Sequence, residues 1–82
     1  MNYQIELKPR AIKDLKALPA SDQRRIMGKI ESLRDNLAVD AKKLTHFSPE
    51  YRLRVGDYRI LFEATGIKVV IYRVLHRREA YN

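Results

Sequence analysis

Cysteine is absent from this 82-residue chain, and glycine and proline number only three each. Without cysteine there is neither a disulfide framework nor a thiolate metal site. Two histidines, His46 and His76, stand far apart and give no metal-ligand spacing, so no metal and no other cofactor is expected. Long apolar runs are missing too. The opening MNYQIELKPR lacks the hydrophobic stretch of a signal peptide, and no segment is long enough to cross a bilayer. A soluble cytoplasmic protein with no membrane partner is therefore expected. There are no repeats, low-complexity segments or linkers, which leaves one domain over 1–82. A domain this small buries only about 60–70% of the surface its unfolded chain exposes, so a partner covering part of it would stabilise it.

Negative charge is also in short supply: ten Asp and Glu against 17 Lys and Arg give a net charge of +7. Residues 51–82 hold Arg52, Arg54, Arg59, Lys68, Arg73, Arg77 and Arg78 against only Asp57, Glu63 and Glu79. The excess there is mostly arginine. A domain this basic usually meets a polyanion, nucleic acid first, with an acidic protein partner or a merely solvated basic surface as the alternatives.

YQIELK (3–8) alternates apolar and polar residues and reads as a strand with Tyr3, Ile5 and Leu7 on one face. Pro9 suits the first turn of a helix, in which Ile12, Leu15 and Leu18 follow at helical spacing before Pro19 ends it. A second helix opens with Ser21 as N-cap and Asp22 in its first turn. Its apolar stripe is Ile26, Ile30, Leu33 and Leu37. Residues 38–50 are polar and irregular and read as a connecting loop. Three strands follow, at 51–55, 58–64 and 67–75, joined by two-residue turns at Gly56-Asp57 and Thr65-Gly66. The expected class is α+β, in the order β-α-α-β-β-β, with a two-helix hairpin packed on a largely antiparallel four-stranded sheet.

A turn at Gly56-Asp57 sets Val55 opposite Tyr58, Arg54 opposite Arg59, Leu53 opposite Ile60 and Tyr51 opposite Phe62. Side chains alternate along a strand. Tyr51, Leu53, Val55, Tyr58, Ile60 and Phe62 therefore face the helices, while Arg52, Arg54 and Arg59 share the open face. Carrying the pairing through Thr65-Gly66 adds Val69 and Ile71 to the core face and sets Tyr72 beside Arg59. Like charges directly opposite each other destabilise a strand pair. A phosphate gripped between the guanidinium forks would remove that repulsion. Three arginines converging on one face, with no acid among their cross-strand partners, suit a nucleic-acid backbone better than the solvated half of an amphipathic strand. The ending VLHRREAYN adds His76, Arg77, Arg78 and Tyr81, with either Arg77 or Arg78 as the arginine of the site; histidine gives and takes protons near neutrality. Strict alternation places His76 with Arg59 but Arg77 on the core face.

The stretches YRLRVGDYRILFE (51–63) and VLHRREAY (74–81), with the chain length and element order, resemble the RelE/ParE superfamily of toxins, on its RelE side. The resemblance implies an endoribonuclease that enters the ribosomal A site and cleaves mRNA without a metal. It does so through attack of a ribose 2′-hydroxyl on the adjacent phosphate, and a RelB-like antitoxin restrains it. Arg59 matches the family's phosphate-binding arginine. Arg77 matches the arginine that stabilises the transition state or protonates the leaving oxygen, and Tyr81 the tyrosine that stacks on a base. The place of Arg77 in the site then requires a bulge, or a strand that ends by Leu75. Arg52 and Arg54 stand where well-studied RelE-type toxins carry two lysines. Arginine does not surrender its proton, so both would stabilise charge and the base would lie elsewhere. His76 is the first candidate, Tyr81 the second and Glu50 the third. Two other readings remain: a ParE-like inhibitor of DNA gyrase, and a non-catalytic nucleic-acid-binding module. DNA recognition is expected of the antitoxin complex, since the chain shows no recognition helix.

Overall fold

The computed structural model describes residues 3–34, 41–43 and 51–80, with the backbone alone at 41–43 and 80. The first strand, β1 (Gln4–Leu7), leads through Lys8 into α1 (Pro9–Lys16). Proline stands at the start of α1, where its missing N–H has no partner to lose. The side chains that α1 buries are Ala11 and Leu15, with Leu18 beyond its end packing alongside. Ile12, expected in the core, is 40% exposed, because Ala11 takes the inward position. α2 (Ala20–Ser32) starts two residues earlier than expected, so Pro19 is its N-cap and Ser21 lies inside the first turn. Ile26, Ile30 and Leu33 are fully buried as the stripe requires, whereas Leu37 lies outside the described residues.

A short strand, β2 (Ala41–Lys43), follows within the segment expected to be only loop, and it pairs antiparallel with β3 (Tyr51–Val55). β4 (Tyr58–Thr65) and β5 (Lys68–His76) complete a five-stranded sheet in the order β1-β5-β4-β3-β2. A four-residue helix, α3 (Arg77–Ala80), ends the described chain. The four expected strands are thus present, and β2 extends their sheet at the far edge. β1 lies parallel to β5, and every other pairing is antiparallel.

The β3–β4 register is the expected one: Tyr51 with Phe62, Leu53 with Ile60, Arg54 with Arg59, Val55 with Tyr58. Tyr51 and Phe62 stack with ring centroids 5.2 Å apart. Leu53, Val55, Ile60, Phe62, Val69, Ile71 and Val74 meet the two long helices in one core. The β4–β5 turn differs from expectation. Thr65 pairs with Lys68, so the two turn residues are Gly66 and Ile67, with Gly66 at φ 60°. The resulting shift of two residues preserves which side chains face the core, so Val69 and Ile71 still point inward.

One residue further along, the alternation breaks. Phe62 pairs with Ile71 but Leu61 with Arg73, so Tyr72 is the extra residue of a β-bulge. The bulge falls where β1 runs out. Leu7 is the last β1 partner, opposite Ile71, and the Lys8 N–H donates to the Ile71 carbonyl. Beyond that point α1 covers the strand edge. Asp14 accepts the Val74 N–H at 3.0 Å and two hydrogen bonds from Arg73, at 2.7 Å from Nε and 3.3 Å from Nη2. A side chain thereby satisfies an edge N–H that no neighbouring strand reaches.

Gly56 opens the β3–β4 turn with φ 58°, a conformation that a residue with a Cβ adopts at a cost of about 1–2 kcal/mol. An added Cβ would also stand 2.8 Å from Nη2 of Arg25. Gly56→Ala is expected to destabilise the domain by about 1–2 kcal/mol, measured by urea unfolding. An unchanged midpoint would mean that the turn tolerates another backbone geometry.

Candidate functional site

Arg52, Arg54 and Arg59 lie on the open face, as alternation requires, but in different environments. Arg54 is exposed, Arg52 is half-buried, and Arg59 is only 6% exposed. Arg54 and Arg59 are direct cross-strand partners, and Leu75 flanks Arg59 on the other side. Nη1 of Arg59 donates to the carbonyls of Gly56 and Tyr58, each at 3.0 Å. These bonds fix the guanidinium against the β3–β4 turn, so a cation is held in place before any anion arrives.

The bulge at Tyr72 decides where the end of β5 delivers its side chains. Tyr72 does not sit beside Arg59. Its hydroxyl donates to Glu63 at 3.2 Å, and Lys8 Nζ lies 5.9 Å from its ring centroid. Burial and the neighbouring Glu63 carboxylate both push the Tyr72 phenol up, so it stays protonated.

His76, expected on the arginine face, is brought instead to the helix side. It pairs with Tyr58, and the two rings meet edge-to-face at 5.7 Å between centroids. There it lines a hollow of about 250 Å³ with Tyr58, Val74, Asp14 and Glu79. Tyr58 is tied further inward, donating its hydroxyl to Asp22 of α2 at 3.0 Å. Burial raises the Tyr58 pKa, helped by the hydrogen bond to Asp22 and by the charges of Asp22 and Asp57, so this phenol is no base either. The His76 Nδ1 accepts the backbone N–H of Arg78 at 3.3 Å, so this ring nitrogen is engaged within the chain.

The added bulge residue reverses the alternation and so removes Arg77 from the core face where strict alternation set it. β5 runs to His76 rather than ending by Leu75, and Arg77 is exposed. The Arg77 N–H donates to the Asp57 carbonyl at 2.7 Å, and its Nη1 stands 3.9 Å from Asp57 Oδ1. Arg59 of β4 and Arg77 at the start of α3 thus converge on the same turn. The side chain of Arg78 is exposed, and the contact described for this residue is that of its backbone with His76. Tyr81 and Glu50 lie outside the described residues.

Two residues with a claim on the site were not singled out from the sequence. Arg25 and Lys29 of α2 line an open groove of about 360 Å³ together with Arg54, Val55 and Gly56. The signal was available: two cations four positions apart on the polar side of an amphipathic helix occupy one face.

The profile of the ParE toxin of type II toxin-antitoxin systems, parDE, matches residues 5–81. Toxin RelE3 of Methanocaldococcus jannaschii is 38% identical over 76 residues, covering 87% of this chain and 86% of that one. The putative toxin RelE1 of the same organism is 32% identical, covering 96% and 93%. Among solved structures, a chain of the Methanococcus jannaschii RelB-RelE antitoxin-toxin complex superposes with a TM-score of 0.77 at 36% identity, covering 93% and 94% of the two chains. A chain of the RelBE2 toxin-antitoxin complex of Mycobacterium tuberculosis reaches 0.82 at 26% identity, covering 94% and 100%.

Proposed function

Because the chain belongs to the RelE/ParE superfamily of type II toxins, we propose that it is a ribosome-dependent endoribonuclease that cleaves mRNA in the A site and so stops translation. The observation that carries this reading is the pair of facing arginines, Arg54 and Arg59, with Arg77 docked on the turn beside them. In the proposed step a ribose 2′-oxygen attacks the adjacent phosphorus. The bond to the 5′-oxygen breaks, the 2′-hydroxyl proton leaves to a base, and the 5′-oxygen takes up a proton. Negative charge grows on the non-bridging oxygens as the phosphate becomes five-coordinate. Fixed donors aimed at such oxygens lower the barrier more than flexible ones. Arg59, held by two carbonyls, supplies a fixed donor. Arg52 and Arg54 clamp the backbone from β3, and Arg77 approaches from the far end of β5 as the group nearest the leaving oxygen. Tyr81 stacks on a base.

Positioning and charge carry this chemistry, and His76 stands apart from it on the helix side with its Nδ1 engaged. His76→Ala is accordingly expected to leave the shape of the pH–rate profile unchanged. Loss of a limb in the variant would return His76 to the mechanism as the proton-transfer group.

The partner proposed is a RelB-like antitoxin, since relatives with this fold were solved bound to one. The outer edge of β1 and the helix pair are the surfaces it would cover, by strand addition or with an amphipathic helix. The match to the ParE profile also favours a second reading, inhibition of DNA gyrase. One experiment separates the two: induced expression of wild type and Arg59→Ala, with 5′-end mapping of cellular mRNA. New ends inside codons that vanish in the variant support the nuclease. Growth arrest with intact mRNA and altered supercoiling supports gyrase.

A further inference from the structure

The groove beside α2 shares Arg54 with the arginine face, but the chemistry proposed above gives no part to its α2 residues, Arg25 and Lys29. Among the described residues, Arg25 and Lys29 from α2 and Arg54 from β3 line it, and none of the described lining residues is a carboxylate. Asp22, one turn before Arg25, is occupied by the Tyr58 hydroxyl. Among the described residues neither Arg25 nor Arg54 makes a hydrogen bond or an ion pair. Like charges four apart on a helix are mildly destabilising, and a third cation adds to that.

Solvation alone does not account for the position of Arg25. A charge needed only for solubility extends into water, yet the Arg25 guanidinium lies over the backbone of Gly56. Its Cζ, Nη1 and Nη2 stand 2.8–3.0 Å from where a Cβ would be. Glycine leaves the room for that approach. The same Gly56 offers its carbonyl to Arg59, so the turn joins the groove to the arginine face. A cationic track therefore runs from Arg59 past Arg54 to Arg25 and Lys29.

We propose that this groove is a second phosphate subsite, which holds an RNA backbone phosphate other than the scissile one. The proposal rests on the RNA reading above. An open, shallow groove of guanidinium and ammonium groups suits a polyanionic strand crossing it, with Arg25 and Arg54 offering forked donors. The phosphate comes either from the mRNA strand that reaches the scissile position or from ribosomal RNA.

The test uses the full chain and a fluorescent 2′-O-methyl RNA oligomer, whose blocked 2′-oxygens prevent cleavage. Its affinity is measured by anisotropy across a potassium chloride series for wild type, Arg25→Gln with Lys29→Gln, and Arg59→Ala. Each phosphate contact on a single strand contributes about 0.7 to the slope of log affinity against log salt. Loss of the one phosphate held there is expected to flatten it by about 0.7, with the variant still folded. The same flattening with the oligomer and with ribosomes assigns the phosphate to mRNA. Flattening with ribosomes alone assigns it to ribosomal RNA. A double variant that matches wild type on both, while Arg59→Ala binds weakly, overturns the subsite and leaves the proposed function standing. So does a defect confined to binding an acidic antitoxin segment. Absence of RNA binding by wild type, on oligomer and ribosome alike, overturns both.

Discussion

Alanine at Arg59 is expected to slow mRNA cleavage on translating ribosomes by roughly 10²–10³-fold, the usual effect of removing a preorganised charge-stabilising donor. Arg59 is the best-held cation of the open face: nearly buried, bonded to two carbonyls, and opposite Arg54. Its loss also strips the Gly56 and Tyr58 carbonyls of a donor, so stability should fall with activity. Arg54 isolates the catalytic part of the effect. It is exposed and faces a like charge, so Arg54→Ala should leave stability unchanged or raise it by about 0.2–1 kcal/mol while cleavage drops. Single-turnover rates and thermal unfolding of both variants provide the check. A folded Arg59→Ala protein that cuts at the wild-type rate would reduce the arginine face to a structural feature.

Asp14→Asn is expected to be among the most destabilising single changes, at about 2–3 kcal/mol, or a melting temperature lower by roughly 10–20 °C. The Asp14 carboxylate is 14% exposed and holds α1 to β5 by accepting from Arg73 twice and from the Val74 N–H, with Arg10 Nε 4.0 Å away. Burial opposes its ionisation most strongly. The Arg73 and Val74 hydrogen bonds and the Arg73 and Arg10 charges together outweigh burial and hold the pKa below its ordinary 3.8. A carboxyl depressed on folding contributes stability that is complete above its unfolded pKa and is lost as pH falls through the folded one. The gap between wild type and Asp14→Asn should thus be constant above about pH 5 and close in stronger acid, below the ordinary carboxylate pKa. Glu6 and Glu31, also held low by cationic neighbours, titrate equally in both proteins and cancel. A gap that persists at acid pH would show that Asp14 acts through packing rather than charge.

Local rules reached most of the fold. Alternation and turn chemistry placed β3, β4 and their register, because Gly56-Asp57 admits one pairing and the apolar face has one place to go. They also placed Arg52, Arg54 and Arg59 on the open face. The β4–β5 turn lies one residue later than expected, which shifts the pairing by two, because Thr65-Gly66 and Gly66-Ile67 carry the same glycine signal and only the longer strand selects between them. The bulge at Tyr72 had no local signature. It arises where β1 ends and Asp14, some sixty positions away in sequence, takes over the edge. The bulge then decided the faces of His76 and Arg77, so the C-terminal part of the site was the part the sequence could not position. The groove with Arg25 and Lys29 was overlooked for another reason. Its cations come from α2, and only folding sets that helix beside the β3–β4 turn.

The parallel pairing of β1 with β5 also governs timing. Gln4 waits for Lys68 and Leu7 for Ile71, so among the described residues β1 has no strand partner until residues through Ile71 exist. Contacts that distant in sequence form slowly. The sheet that carries the cationic surface is therefore complete only once β5 has been made and has taken its place beside β1.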